Sequence, residues 1–314
     1  MDWRETPAEL ERARAEEPSV FESADGRLFG LFTPPAPAAE PSPGCLVFFT
    51  RPRCHRNRMW VEAARRFAAR GWAAFRFDYH GCGDSEGERA PLDPNRPYRA
   101  DAVAALRHLR RRHGQRAFVL VGSCFDARTA LSAFVDEAAA LRGLVFMAAP
   151  VMELDTMSKA SADHKDWRHI ARALRNPANW AGLGRRERWR HMSGVLWRVA
   201  RRSAGARAGE GLGLAPSFVE HFDALARSSA RALFLYGRDD QEYASFRVAE
   251  ERLLPALPPA VRARLEVEVW PGALHGFLDL ARQRATLDRI ADWLEGLTAG
   301  GGRSAAAGGA ARHP

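Results

Sequence analysis

Residues 117–131, AFVLVGSCFDARTAL, decide the reading of this chain. An apolar strand ends at Val121 and a helix begins near Phe125, which leaves Gly122-Ser123-Cys124-Phe125-Asp126 as a sharp strand-to-helix turn. A reactive side chain at the tip of such a turn is presented beyond the end of the strand, and the crowded backbone requires a small residue two positions earlier. Counting back two from Cys124 reaches Gly122, whereas counting back from Ser123 reaches Val121. The register selects Cys124.

On either side of this turn, strand and helix signals alternate. A helix is expected at about 6–16. VFES and RLFGLFT then flank Asp25-Gly26, a strong hairpin signal, and give two opening strands. A proline-rich connector, TPPAPAAEPSPG, leads into CLVFFT, whose unbroken apolar character fits a strand buried on both faces. Helices are expected at 57–70, 97–113 and 125–136, and strands at 72–77, 117–121, 143–149, 232–237 and 265–270, with a closing helix at 277–297. The order predicts an α/β fold with a mostly parallel, doubly wound sheet. Its core is discontinuous, at 1–150 and 231–298. Residues 151–230, helical in character and lacking strand signals, interrupt it. Their position between two strands, beside the C-terminal edge of the sheet, predicts a lid. The Gly/Ala-rich tail 299–314 is expected to be disordered.

Composition limits the functional classes. The chain has 314 residues, 46% hydrophobic and 27% charged, as in an ordinary globular protein. It has no apolar run of transmembrane length and no apolar segment of the secretory type near its start, so a cytoplasmic location is expected. The four cysteines, Cys45, Cys54, Cys82 and Cys124, then read as free thiols. The net charge of +9 is almost entirely arginine and concentrates in 151–230, which carries 14 basic and 8 acidic residues. No zinc-finger, helix-turn-helix or aromatic RNA-binding motif accompanies it, and nucleic acid is not an expected partner.

Three further motifs join the turn around Cys124. FRFDYHGCGDSEG at 75–87 holds Asp78, Gly81, Gly83 and Ser85 in a D-x-x-G-x-G-x-S pattern. LFLYGRDDQEY places Asp240 three residues beyond Gly237, and WPGALHGFLD places His275 between the last strand and the last helix. In this order the motifs resemble the α/β-hydrolase superfamily over roughly 18–297, with cysteine in place of the usual serine. The cysteine turn, the R-F-D-Y-x-G-x-G-D-S segment and a proline where His-Gly is usual look like the serine-aminopeptidase-like and exosortase-system-associated hydrolases. The resemblance implies a Cys124–His275–Asp240 triad, with Asp239 as the neighbouring alternative acid. It also implies an oxyanion site formed by the backbone N–H of Phe125 and a second N–H from the loop after CLVFFT. Arg51 is the expected second donor, because Pro52 has no N–H. Asp126 departs from the family pattern, since a small residue is usual there; as an acid in the first turn of a helix it reads as structural.

The implied activity is acyl hydrolysis of an ester or thioester through an acyl-cysteine, without a cofactor. Acyl transfer from a small-molecule or carrier-bound acyl donor is the second reading, and a non-catalytic binding protein on the same scaffold is the third. Arg185, Arg186 and Arg190, around a stripe of Trp189, Met192, Leu196 and Val199, form a basic lid face where an acidic carrier protein or anionic lipid could dock. Cys54-His55 and His80-x-Cys82 lie on loops after adjacent strands, but their spacing matches no zinc motif, so packed or solvated loop residues are expected there.

Overall fold

A computed structural model describes residues 15–36, 44–89, 93–152, 214–277 and 279–306. Its strands are β1 (Glu17–Ser23), β2 (Gly26–Thr33), β3 (Cys45–Phe49), β4 (Ala73–Phe77), β5 (Phe118–Ser123), β6 (Leu141–Met147), β7 (Arg231–Gly237) and β8 (Leu265–Trp270). Its helices are α1 (Met59–Ala68), α2 (Arg99–His113), α3 (Phe125–Ser132), α4 (Phe134–Glu137), α5 (Pro216–Arg227), α6 (Gln241–Arg252), α7 (Pro259–Arg262) and α8 (Leu280–Ala306). The strands form one sheet in the order β1-β2-β4-β3-β5-β6-β7-β8. β1 and β2 pair antiparallel around the Asp25-Gly26 turn and β2 pairs antiparallel with β4, while every later pairing is parallel. This is the α/β-hydrolase fold.

The central strands are apolar along their whole length because both faces are covered. Cys45, Val47 and Phe49 of β3 pack on one side with residues of α2, α3 and α5. Leu46 and Phe48 pack on the other with Met59, Trp60 and Phe67 of α1 and Ile290 and Leu294 of α8. Alternate residues of β5, β6 and β7 divide between the two layers in the same way. Helix α1 buries Met59, Trp60, Ala63, Ala64 and Phe67, spaced to form one stripe.

Some expected boundaries move. The helix expected at 125–136 stops at Ser132 and resumes as the short α4. The closing helix runs to Ala306, past residue 299, where the tail is expected to begin. The helix expected at 6–16 lies almost wholly outside the described residues. So does most of the expected lid, including Arg185, Arg186, Arg190 and the Trp189 stripe. The described end of that segment belongs to the core instead, because α5 buries Phe218, Phe222 and Leu225 against Phe146 and Phe234. An antiparallel bridge between Met152 and Leu214 joins the two ends of the insertion. The fully buried Arg128 of α3 holds the same place, donating from Nη1 to the Pro150 carbonyl (3.0 Å) and from Nη2 to Ser217 Oγ (2.8 Å).

The glycine-rich segment after β4 is a structural knot. The buried Asp78 carboxylate accepts from the Arg53 backbone N–H (2.7 Å) and pairs with the Arg53 guanidinium, fixing the loop that follows β3. Ser85 Oγ accepts from the Phe29 N–H (2.9 Å) and donates to the Asp78 carbonyl (2.7 Å), which ties that segment to β2. At Gly83, with φ of +55°, a Cβ would lie 2.1 Å from an Asp78 carboxylate oxygen. Only glycine fits there.

Helix α2 lays His108 on Phe21, with ring centroids 4.7 Å apart, and His113 on Phe32 at 3.8 Å. Burial lowers His55, His108 and His221 from 6.5 to about 4. Between these values the unfolded chain takes up protons at the three histidines and the native state does not, so their contribution is lost as pH falls. Asp126, raised by burial to about 6, binds its proton earlier in the native state and offsets one of the three. The urea midpoint is therefore expected to fall between about pH 6.5 and 4. An unchanged midpoint across that interval would contradict neutral burial of these imidazoles.

Candidate active site

The turn between β5 and α3 holds Cys124 at φ 54° and ψ −134°, a left-handed conformation that a non-glycine residue adopts at a cost of about 1–3 kcal/mol. The surroundings impose it. The Cys124 N–H donates to the Met147 carbonyl (2.8 Å) and its carbonyl accepts from the Ala127 N–H (3.2 Å). A Cβ on Gly122 would sit 2.6 Å from the Ala127 Cα, so the small residue the register required is confirmed as a steric need. Ser123 belongs to β5 and is buried.

His275, in the loop between β8 and α8, places Nε2 3.2 Å from Cys124 Sγ. Its backbone is anchored by Asp240, the N-terminal cap residue of α6. One carboxylate oxygen of Asp240 accepts from the Leu274 N–H (3.0 Å) and the His275 N–H (2.9 Å), and the other from the Gly237 N–H (2.8 Å). Asp240 thus holds the histidine loop through its backbone N–H groups. The carboxylate facing the ring is Glu242, with Oε1 3.7 Å from Nε2. Glu242 is buried in the first turn of α6, and it was missed because nothing in DDQEY separates its three acids without the direction of the helix. The expected alternative, Asp239, stays solvent-exposed.

Cys124 is a neutral thiol in these surroundings. Burial pushes it up to about 12, the negative charges of Glu242 and Asp126 add to this, and the Phe125 N–H and the Arg51 charge oppose it. Burial also raises Glu242, against the attraction of His275.

Beside the thiol lies an ion pair not foreseen in the sequence. Arg51 Nε donates to Asp126 Oδ1 at 2.7 Å, with both side chains nearly buried. The guanidinium lies over the rings of Tyr79 and Tyr98, 5.7 and 5.3 Å from their centroids. Asp126 therefore holds Arg51 in the base of the site, which is more than a generic helix-terminal acid does. The Arg51 backbone N–H also stabilises the Asp126 carboxylate.

The other loop candidates do not converge on a shared site. His55 packs against Trp60 and Phe277, with ring centroids 5.4 and 5.5 Å away. His80 Nδ1 is bound to Asp101 at 2.8 Å, and Asp101 also accepts from Ser23 Oγ at 2.6 Å. Among the described residues two groups have metal-ligand proximity, Cys124 with Glu242 and His275, and Asp25 with His80 and Asp101. Cys54, His55 and Cys82 are in neither.

The family model for serine aminopeptidase S33 matches residues 42–201, slightly more than half of the chain. The chain belongs to this family. It is an α/β hydrolase, an enzyme. Among solved structures it is similar to a proline iminopeptidase of Mycobacterium smegmatis, at 16% identity and a TM-score of 0.58, covering 91% of this chain and all of that one. An esterase of Pyrococcus furiosus gives 14% identity and a TM-score of 0.58, over 95% of this chain and 96% of that one. A serine hydrolase of Xanthomonas campestris, described as lacking a lid, gives 15% identity and a TM-score of 0.51, over 88% and 94%. At these identities the likeness is one of fold. No curated protein matches the sequence.

A thiol held neutral near Nε2 is expected to react with iodoacetamide through its small thiolate fraction. The alkylation rate of Cys124, followed by peptide mass, is expected to rise about tenfold per pH unit from about pH 6 to 9. A plateau in that range would mean a resting thiolate–imidazolium pair.

Proposed function

We propose that the protein is an acyl hydrolase acting on ester or thioester acyl groups through an acyl-cysteine at Cys124. The observation that carries this is Sγ at the tip of the left-handed turn, 3.2 Å from Nε2 of His275. Neutral His275 takes the thiol proton as sulfur attacks the acyl carbonyl carbon, and the carbonyl π electrons move to oxygen. In this reading the Phe125 N–H at the start of α3 donates to that oxyanion. When the intermediate collapses, the alcohol or thiol leaves with the proton held on His275. In the second half, His275 deprotonates water, the hydroxide attacks the acyl-cysteine, and the Cys124 thiolate leaves and regains its proton. Asp240 serves by fixing the His275 loop, and the Glu242 carboxylate stabilises the imidazolium that forms in each half. These steps require no cofactor.

The Met152–Leu214 bridge brings both ends of the insertion to the edge of the sheet where β6 ends, next to the turn that carries Cys124. In this reading the insertion at 151–230 supplies the lid, and its Arg185, Arg186 and Arg190 the surface for an acidic acyl carrier. The four free cysteines fit a cytoplasmic enzyme.

Intact-mass measurement during turnover of a short p-nitrophenyl ester tests the reading. Wild type is expected to gain the acyl mass and Cys124→Ala is not, while His275→Ala slows nitrophenolate release by about 100-fold or more. Hydrolysis through an adduct that survives in Cys124→Ala would overturn the assignment. Addition of an alcohol or amine acceptor separates hydrolysis from transfer by the partition of products. Persistence of the adduct until the acceptor arrives would favour transfer.

A further inference from the structure

The acid and the thiol lie at the same nitrogen of His275. In a proton relay that runs through the imidazole, the acid occupies one ring nitrogen and the nucleophile the other. Here Nε2 is 3.2 Å from Cys124 Sγ and 3.7 Å from Glu242 Oε1, and the three donor atoms all lie within 4.8 Å of one another. Donors converging on one edge of the ring describe a coordination set. Zinc bonds to thiolate, imidazole and carboxylate are about 2.0–2.3 Å long, which puts neighbouring ligand atoms of a tetrahedron roughly 3.3–3.8 Å apart. Of the two distances measured from Nε2, that to Glu242 Oε1 lies in this range and that to Cys124 Sγ is about 0.1 Å below it.

We propose that Cys124, Glu242 and His275 form a binding site for a thiophilic divalent cation, with zinc the best fit to one sulfur, one nitrogen and one oxygen donor. A fourth, open position remains for water.

The backbone that carries the ligands is already fixed. Cys124 is held by the turn between β5 and α3, and Glu242 lies in the first turn of α6. His275 is pinned through its own N–H and that of Leu274 by Asp240, which caps the same helix. Asp240 thus sets the distance between two ligands without being one, the part usually played by groups behind a metal's direct ligands. Binding forms a sulfur–zinc bond and releases the thiol proton to solvent, so atoms and charge balance without a redox partner. Sulfur and Nε2 would then both be coordinated, and neither could serve in acyl transfer. This consequence, reversible inhibition by zinc, rests on the acyl-cysteine reading, whereas binding does not.

The two are separated by measuring binding directly. Full-length protein, stripped with a chelator and kept reduced, is titrated with Co2+ and then with Zn2+. One equivalent of Co2+ is expected to give a near-ultraviolet sulfur-to-cobalt charge-transfer band together with the visible bands of tetrahedral cobalt, both removed by Zn2+. Cys124→Ser is expected to lose the charge-transfer band. Glu242→Gln, which keeps shape but loses the charged donor, is expected to weaken zinc by about tenfold or more. The double variant Cys54→Ala, Cys82→Ala should bind as wild type does. A charge-transfer band that survives Cys124→Ser, zinc affinity unaffected by Glu242→Gln, or absence of the band in wild type would each overturn the site. Tight zinc binding combined with Cys124-independent ester hydrolysis would leave the site standing and refute the acyl-cysteine mechanism.

Discussion

A cysteine at φ 54° and ψ −134° persists only where the backbone on both sides has no alternative, and much of this structure supplies that constraint. β5 enters the turn from the middle of the sheet, paired with β3 and β6, and α3 leaves it packed over β5 and β6. Gly122 lets α3 approach to a distance that no side chain would tolerate. Sγ is thereby lifted clear of the strand, at the start of α3. The reactive geometry is a property of where a central strand meets the helix that follows it.

A second constraint comes from the loop after β3. Asp78 binds Arg53 through backbone and side chain, and Asp126, two residues past the thiol, binds Arg51. Two neighbouring arginines are thus drawn to two buried carboxylates from different parts of the chain. A buried ion pair is a weak source of stability but a strong source of position, because an unpaired charge in such a place is costly. The pair also shapes the electrostatics. Arg51 favours the thiolate at Cys124, while Asp126 and Glu242 oppose it, and burial dominates, so the site holds a neutral thiol. In the proposed reaction such a thiol depends on His275 to take its proton during attack, as a serine hydroxyl would, so the order of proton transfers is unchanged.

Control of the histidine loop is divided between the residue that precedes α6 and an acid in its first turn. Asp240 uses both carboxylate oxygens on three backbone N–H groups, and Glu242, half a turn further on, faces the ring. One helix start thus fixes where the loop sits and which charge the imidazole meets. The same arrangement makes the edge of the ring a convergent set of donors.

The strand and helix order, the antiparallel opening hairpin and the position of Cys124 were legible in the sequence. They rest on local rules: alternate burial of both faces, Asp-Gly at a tight turn, and a glycine two residues before the cysteine. The limits of α3 and α8 were less so, because helix ends depend on what the last turn packs against. α5 was assigned to the insertion, since a buried aromatic stripe reads the same in a lid and in a core. At the site, sequence spacing brought Asp240 and His275 to the same region but did not reveal which atoms meet. Whether a carboxylate binds a ring or a backbone amide depends on side-chain direction over a few ångströms. That the ring would face Glu242, and that Arg51 would turn to Asp126, was decided by packing between segments 33 and 75 residues apart. The chain by itself determined the elements and where the thiol stands in them; only the tertiary structure decided its electrostatic neighbours, because those are set by contacts that no local periodicity records.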